Sequence, residues 1–311
     1  MQQSNRNDQK GVKISVVIPA YNYAHILRRA AESVLLQLGG SAELIIIDDG
    51  STDNTPAVIE ALERDFSDCF RAVRQDNAGL AAVRNKGLDI AQGQYLIFLD
   101  ADDEMLPGAL AALNEHIDLR PDTQLVIGGH VSRYPDGRED EHLPDPLPPD
   151  AYTRVRNYLI ERTLGVSNGA CAMRKDIFSH GRYPERFRSA EDIPVFAQVF
   201  AHGVCTNLDH LLTRIYKHDD SMRHDLKAGL KVGDQLVGEI FDGGRLPAEM
   251  NEMRKLFAAQ RYLSLFRTAL AAGEDEKAKE LYKQALSADW RAIFRTSYTR
   301  KALRLWVGMS G

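Results

Sequence analysis

Three short runs of almost unbroken aliphatic residues constrain the folding of this chain more than any other feature: "KISVVIP" at 13–19, "ELIII" at 43–47 and "YLIFL" at 95–99. None alternates apolar with polar residues, so each predicts a strand buried on both faces. Stretches with helical spacing lie between them. "ILRRAAESVLLQL" (26–38) stops at a glycine pair. A second helix opens at Asn54 or Thr55 as cap, with Pro56 at its first position, and runs to about Arg64. "LAAVRNKGLDIAQG" ends a third helix at Gly93, and "FRAVRQ" (70–75) reads as a further strand. Strands alternating with helices predict an α/β fold with a mainly parallel sheet flanked by helices. Ligands of such sheets sit at the carboxyl ends of the strands.

That edge is where this chain concentrates acid. Asp48 and Asp49 follow the second run, and Asp100, Asp102, Asp103 and Glu104 follow the third. Like charges at close range are unfavourable unless a cation neutralises them. If residues 100–102 are extended, Asp100 and Asp102 point to one side and share a divalent cation. Mg²⁺ and Mn²⁺ prefer such oxygen ligands and often bind substrate phosphates as well. An isolated Asp-x-Asp is more often a capped turn, and Glu104 stands where an aspartyl-phosphate hydrolase needs threonine.

The rest of the chain is read more coarsely. A helix is expected over 107–119 and a strand in "LVIGGHVSRY" (125–134). The proline-rich "PDGREDEHLPDPLPPD" (135–150) reads as a mobile loop over the site. "GACAMRKDIF" (169–178) suggests a strand leading into a helix, and Val195, Phe196, Val199 and Phe200 share one helical face. From about Leu246 two helices are expected, broken at Ala272-Gly273. The closing segment sets Arg291, Arg295, Arg300, Lys301 and Arg304 among Trp290, Ile293, Phe294, Leu303, Leu305 and Trp306. Such a helix either lies on an anionic bilayer or docks on the core, and amphipathicity alone does not separate the two.

The expected organisation is a disordered N-terminus at 1–12, an α/β domain at 13–243 and a helical extension at 244–311. A net charge of −5 argues against a nucleic-acid binder. Cys69, Cys171 and Cys205 are widely spaced and include no CxxC pair, as in reduced intracellular proteins. No signal peptide is recognisable, and no run approaches the roughly 18 apolar residues of a membrane span. The expected location is cytoplasmic, peripheral on the inner face of the membrane if the C-terminal helix binds lipid.

Taken together, "SVVIPAYN" (15–22), "ELIIIDDGSTDNT" (43–55), "NAGLAAVRNKGLDIAQGQYLIFLDADD" (77–103) and "SAEDIPVF" (189–196) resemble glycosyltransferase family 2, inverting enzymes of GT-A fold, over residues 13–220. The resemblance implies a nucleotide-sugar donor, most often a UDP-sugar, and a glycan or lipid-linked acceptor of cell-surface polysaccharide. It implies that Pro19, Ala20 and Tyr21 line the base and ribose pocket and that Asp49 recognises the base. The bland alternative for Asp49 is a turn residue bonded to the backbone at Ser51 or Thr52. Asn77, Gly79 and Arg84 approach the nucleotide, with Arg84 bridging a carboxylate or a phosphate unless it is a plain helix-surface arginine. Asp100 and Ala101 lie near the donor, Asp102 ligates Mn²⁺ or Mg²⁺ with Asp100, and His218 closes over the metal or diphosphate. Asp103 caps the following turn. Asp192 is the family's base, with Glu191 a neighbour that orients substrate or shifts the pKa of Asp192, although spacing alone favours Asp192 as a cap for the helix at Ile193-Pro194.

A nicotinamide oxidoreductase is excluded by the lack of a G-x-G-x-x-G turn after the first strand. A sugar nucleotidyltransferase would need a glycine-rich arginine loop there, and none is present. The rival from another class is a degenerate, non-catalytic module that binds partners through its C-terminal helices.

Overall fold

The computed structural model describes residues 11–217 and 226–307. The expected disorder of the N-terminus therefore lies largely outside the described residues, as does His218. The chain divides into two compact units. The first runs to Pro144 and adds Val166–Asp176 and Val204–Lys217; the second takes Asp145–Gly165, Ile177–Gly203 and the chain beyond 225.

The first unit holds a nine-stranded sheet. β1 (Ile14–Ala20), β2 (Ala42–Asp48) and β4 (Tyr95–Phe98) are the three aliphatic runs, and β3 (Arg71–Arg74) is the short fourth strand. They pair in parallel in the order β3-β2-β1-β4. Every residue of β1 is buried, as its unbroken aliphatic pattern requires. The sheet then turns mixed. β5 (Glu104–Met105), β6 (Leu125–Arg133), β7 (Glu139–His142), β8 (Cys171–Arg174) and β9 (Cys205–Tyr216) complete the order β4-β8-β6-β9-β5, with β7 on β6. β8 joins β4 and β6 antiparallel, whereas β9 runs parallel to β6 and antiparallel to β5.

Helices α1 (Leu27–Leu35), α2 (Thr55–Asp65), α3 (Leu80–Ile90) and α4 (Ala109–Leu119) belong to the same unit. α1 buries Leu27, Ala30, Ala31, Val34 and Leu35 in the core formed with Ile14, Val16, Ile18 and Ile46. Full burial of one such leucine is worth about 2 kcal/mol. α2 begins as expected with proline in its first turn. Asn54 stands at the N-cap as expected but its side chain makes no cap bond; the Thr55 N–H donates instead to the Asp53 carboxylate at 2.9 Å.

Residues 135–150 are not wholly loop. β7 pairs with β6 from His130↔His142 to Arg133↔Glu139. Its sequence, "EDEH", carries no apolar alternation because it faces solvent, so backbone pairing alone makes it a strand.

The second unit is helical: α5 (Ala151–Arg156) running into a π-turn (Asn157–Glu161), then α6 (Ile193–His202), α7 (Leu226–Phe241), α8 (Arg254–Ala271), α9 (Asp275–Ala288) and α10 (Thr296–Val307). The expected break at Ala272-Gly273 falls between α8 and α9, where Gly273 takes φ +72°. Phe266, Leu281, Tyr282 and Ala285 centre the core of these last helices, and α10 adds Ala302 to it.

The loops after β1 and β2 interlock. Asn22, at φ 61°, donates its N–H to the Ser51 hydroxyl at 2.9 Å, and its side-chain oxygen accepts the Thr52 N–H at 2.8 Å. Tyr23 and Ala24 donate their N–H groups to the Thr55 hydroxyl and the Asp53 carboxylate. Replacing Asn22 with alanine removes an acceptor and leaves a left-handed backbone that alanine disfavours. Asn22→Ala is expected to lower stability by about 2 kcal/mol in urea denaturation; an unchanged midpoint would deny the interlock any energetic role.

Candidate active site

The carboxyl ends of β1, β2 and β4 lie side by side, and each carries part of the expected donor site. Pro19 and Ala20 close β1, while Tyr21 follows it and is exposed. Asp49 follows β2, and its N–H donates to the Ala20 carbonyl at 2.8 Å. Its carboxylate is only 3% exposed and accepts three bonds: Gln75 Nε2 and the Ala78 N–H on one oxygen at 2.8 and 2.9 Å, and the Gly79 N–H on the other at 2.8 Å. Asn77 donates its side-chain amide to the Asp49 carbonyl at 3.0 Å. Asp49 thus ties β2 to the N-terminus of α3, rather than turning back on Ser51 or Thr52. The residue that does bind Ser51 is Asp48, through the Ser51 N–H at 2.9 Å.

Two glycines permit this approach. Gly79 precedes α3 at φ +93°, and Gly50 takes φ +73° with no room for a side chain, since a Cβ would lie 2.8 Å from the Asn77 nitrogen. Gln75 and Asn22 went unnoticed in the sequence, though both sit inside or beside the motifs and are short polar residues bracketing turns.

Arg84 lies on α3 and is not a surface arginine. It is 2% exposed, and its guanidinium meets the Asp100 carboxylate at 3.3 Å. A buried charge of this kind needs a partner, and Asp100 supplies one.

The acidic segment differs from its expected form. Residues 100–103 form a turn closed by the Asp103 N–H on the Asp100 carbonyl at 3.0 Å, so the same-side argument for an extended Asp100-Ala101-Asp102 does not hold. Ala101 is buried at the core, and Asp100 is half exposed on its charged end. Asp103 does not cap the following turn; its carboxylate is buried and accepts the Tyr216 N–H at 3.0 Å, joining the turn to the end of β9. Burial, then the negative charges of Asp100 and Asp102, push the Asp103 carboxyl up to about 8. Tyr23 feels the same field: burial, then Asp102, Asp100 and Asp103, push its phenol up to about 12. Tyr23 is a site neighbour that the sequence reading overlooked.

These residues fit a cation held jointly with a ligand's phosphates, not a closed protein cage. The donor set is hard carboxylate oxygen, burial and then the charges of Asp100 and Asp102 raise the Asp103 carboxyl, and hard cations commonly complete their shells with substrate phosphate. Among the described residues no three His, Cys, Asp or Glu side chains converge as a metal cage.

Glu191 and Asp192 belong to the second unit. Glu191 is buried. Asp192 precedes α6, which has proline in its first turn, yet its carboxylate makes no cap bond to that helix. The capping role favoured by spacing is therefore not taken up.

The raised carboxyl of Asp103 carries a pH signature. A folded-state value above the unfolded one favours folding at low pH, and that contribution is lost as pH rises from about 4 through about 8. Asp103→Asn keeps an acceptor for the Tyr216 N–H and removes the charge. The variant is expected to match the wild-type Tm near pH 4 and to exceed it by about 2 °C or more at pH 8–9 in thermal scans without nucleotide or metal. A difference independent of pH would contradict the shift.

Comparison with known proteins accords with this geometry. The chain is 31% identical to the succinoglycan biosynthesis protein ExoU of Rhizobium meliloti, over 63% of this chain and 59% of that protein. It is 37% identical to the GalNAc(5)-diNAcBac-PP-undecaprenol beta-1,3-glucosyltransferase of Campylobacter jejuni, over 32% of this chain and 33% of that one. The chain thus spans less than two thirds of the length of these relatives. Among solved structures, S. aureus TarS 1-349 with UDP-GlcNAc superposes with a TM-score of 0.59 at 18% identity, over 91% of this chain and 82% of that one. The mannosyltransferase PcManGT of Pyrobaculum calidifontis, with GDP-Man and Mn²⁺, gives 0.56 at 16% identity, over 94% and 84%. These two show a shared GT-A fold. The sequence profile described as glycosyl transferase family 2 matches residues 15–182, more than half of the chain, and the chain belongs to that family.

Proposed function

We propose that this chain transfers a sugar, with inversion, from a nucleotide diphosphate sugar to a glycan or lipid-linked acceptor in cell-surface polysaccharide synthesis. The observation that carries this reading is the loop cluster at the carboxyl edge of β1, β2 and β4, where Asp49 gathers Gln75, Ala78 and Gly79 and Arg84 holds Asp100. The donor nucleotide is proposed to be UDP, with GDP as the variant suggested by the mannosyltransferase's ligand. Relatives named for succinoglycan and for an undecaprenol-linked glycan suggest the acceptor class.

In this reading Pro19, Ala20 and Tyr21 face base and ribose, and Asp49 with Asn77 and Gly79 holds the loop that receives them. Arg84 restrains Asp100 for the diphosphate. A divalent ion, Mn²⁺ or Mg²⁺, would be held by Asp102 and Asp100 and would stabilise charge on the departing diphosphate. The acceptor hydroxyl oxygen forms a bond to the anomeric carbon as that carbon's bond to the diphosphate oxygen breaks. The hydroxyl proton passes to Asp192, and neighbouring Glu191 orients the substrate. The catalytic domain is taken as 13–243.

Thermal shift with UDP and GDP, each with and without Mn²⁺, tests this directly, since a ligand of the folded state raises Tm by mass action. Asp102→Ala is expected to abolish the metal-dependent part of the shift. Asp192→Asn is expected to keep the shift and lose transfer by about 100-fold or more. No response to either nucleotide would favour a non-catalytic binding module.

Peripheral attachment to the inner face of the membrane is part of the proposal. α10 docks through Ala302, Tyr298 and Leu305 on the helical core, but Trp290, Ile293, Phe294, Leu303, Trp306 and Val307 remain exposed. Exposed Arg300, Lys301 and Arg304 lie among them, and residues 290–307 contain no acid. An apolar surface ringed by cations suits an anionic bilayer. No described helix is long and apolar enough to span one. The full chain is expected to co-sediment with anionic liposomes and a truncation near Asp289 to remain in solution; equal pelleting would remove the attachment.

A further inference from the structure

Helix α1 carries a polar stripe beside its apolar one. Arg29 and Ser33 lie one turn apart on one face of it, and Gln37, four residues on, sits in the turn just past its end. Each bonds to the backbone that follows β4. Arg29 Nη2 donates to the Asp102 carbonyl at 2.7 Å. Ser33 Oγ accepts the Met105 N–H at 2.9 Å. Gln37 donates to the Leu106 carbonyl at 3.1 Å and accepts the Leu110 N–H at 3.3 Å. The stripe satisfies a stretch of chain whose only regular structure before α4 is the two-residue β5.

Arg29 does more than its two companions. Its Nε lies 3.2 Å from Glu104 Oε1, and its guanidinium carbon sits 3.7 Å above the Tyr216 ring. Glu104 in turn meets Arg214 of β9 at 2.8 Å, and the Tyr216 N–H donates to Asp103. One planar cation therefore touches the backbone of Asp102, the carboxylate of Glu104 and the ring of Tyr216, whose own N–H fixes Asp103. A guanidinium can donate, pair and stack at once, whereas an ammonium cannot.

We propose that Arg29 is the positioning residue of the acidic turn: it sets Asp102 by its carbonyl and clamps the end of β9 against the turn, so that the metal–diphosphate meets a preformed site. This rests on the donor-site reading above. Arg84 and Arg29 would then divide the work, one restraining Asp100 through its side chain and the other Asp102 through its backbone.

Calorimetric titration of UDP into the full chain, in Mn²⁺ and in EDTA, tests the assignment; GDP replaces UDP if the wild type prefers it. Arg29→Met is expected to weaken binding about tenfold in Mn²⁺, the usual scale for residues that orient metal ligands, and to leave binding in EDTA unchanged. Arg29→Lys should recover part of the loss. Ser33→Ala and Gln37→Ala, which remove bonds lower on the same stripe, should lower Tm without touching the metal-dependent affinity. Wild-type affinity in Arg29→Met, or an equal loss with and without metal, would overturn the positioning role while leaving the donor site standing. Should Arg29→Met not fold, unchanged metal-dependent binding in Arg29→Lys would overturn it equally. A wild type whose binding ignores Mn²⁺ would overturn the metal part of the donor-site reading and this assignment together.

Discussion

Mutual repulsion among the carboxylates after β4 is the constraint around which the first unit is arranged. Three aspartates within four residues cannot all stay charged at an edge of a buried sheet without compensation. The fold answers in three ways. Asp100 receives the buried Arg84, Asp103 holds its proton to an unusually high pH, and Arg29 anchors the turn through the Asp102 carbonyl. None of these removes the excess of negative field, which reaches as far as the Tyr23 phenol. The residual field is what a cation carried in by a diphosphate would meet.

The neighbouring loops solve a different problem, which is how to hold irregular backbone without regular hydrogen bonding. Asp48, Asp49 and Asn22 act as surrogates for missing ladder partners, accepting N–H groups of Ser51, Ala78, Gly79 and Thr52. Of those donors Ser51 is buried, where an unmatched N–H is costly. Rigid loops on a rigid sheet are the arrangement that lets a binding site keep its shape before ligand arrives.

The parallel half of the sheet was legible in the sequence because burial on both faces leaves an aliphatic signature in β1, β2 and β4. The same logic explains what was missed. β9 is half-buried along most of its length and mixes Asn207, Asp209, His210 and Arg214 with aliphatics, so it shows neither an apolar run nor clean alternation. β7 is wholly polar. The site motifs were legible as residue types at the right strand ends, but not their partners. Asp103 finds Tyr216 across 113 positions, and Arg29 finds Asp102 across 73. Such pairings follow from topology, which local periodicity does not encode. The assumption that residues 100–102 are extended failed for a local reason: strand pairing on β4 stops at Phe98, and the chain turns at once.

That long-range bond from Asp103 to Tyr216 also orders events in time. β9 is the last strand of its unit to be made, yet it lies between β6 and β5, with neighbours on both sides. On a ribosome the acidic turn is complete more than a hundred residues before its cover, and closing so long a loop is slow. The nascent chain therefore passes through an interval in which the Asp103 carboxylate lacks the Tyr216 N–H. The turn's one buried carboxyl is thus completed only by the strand that arrives last.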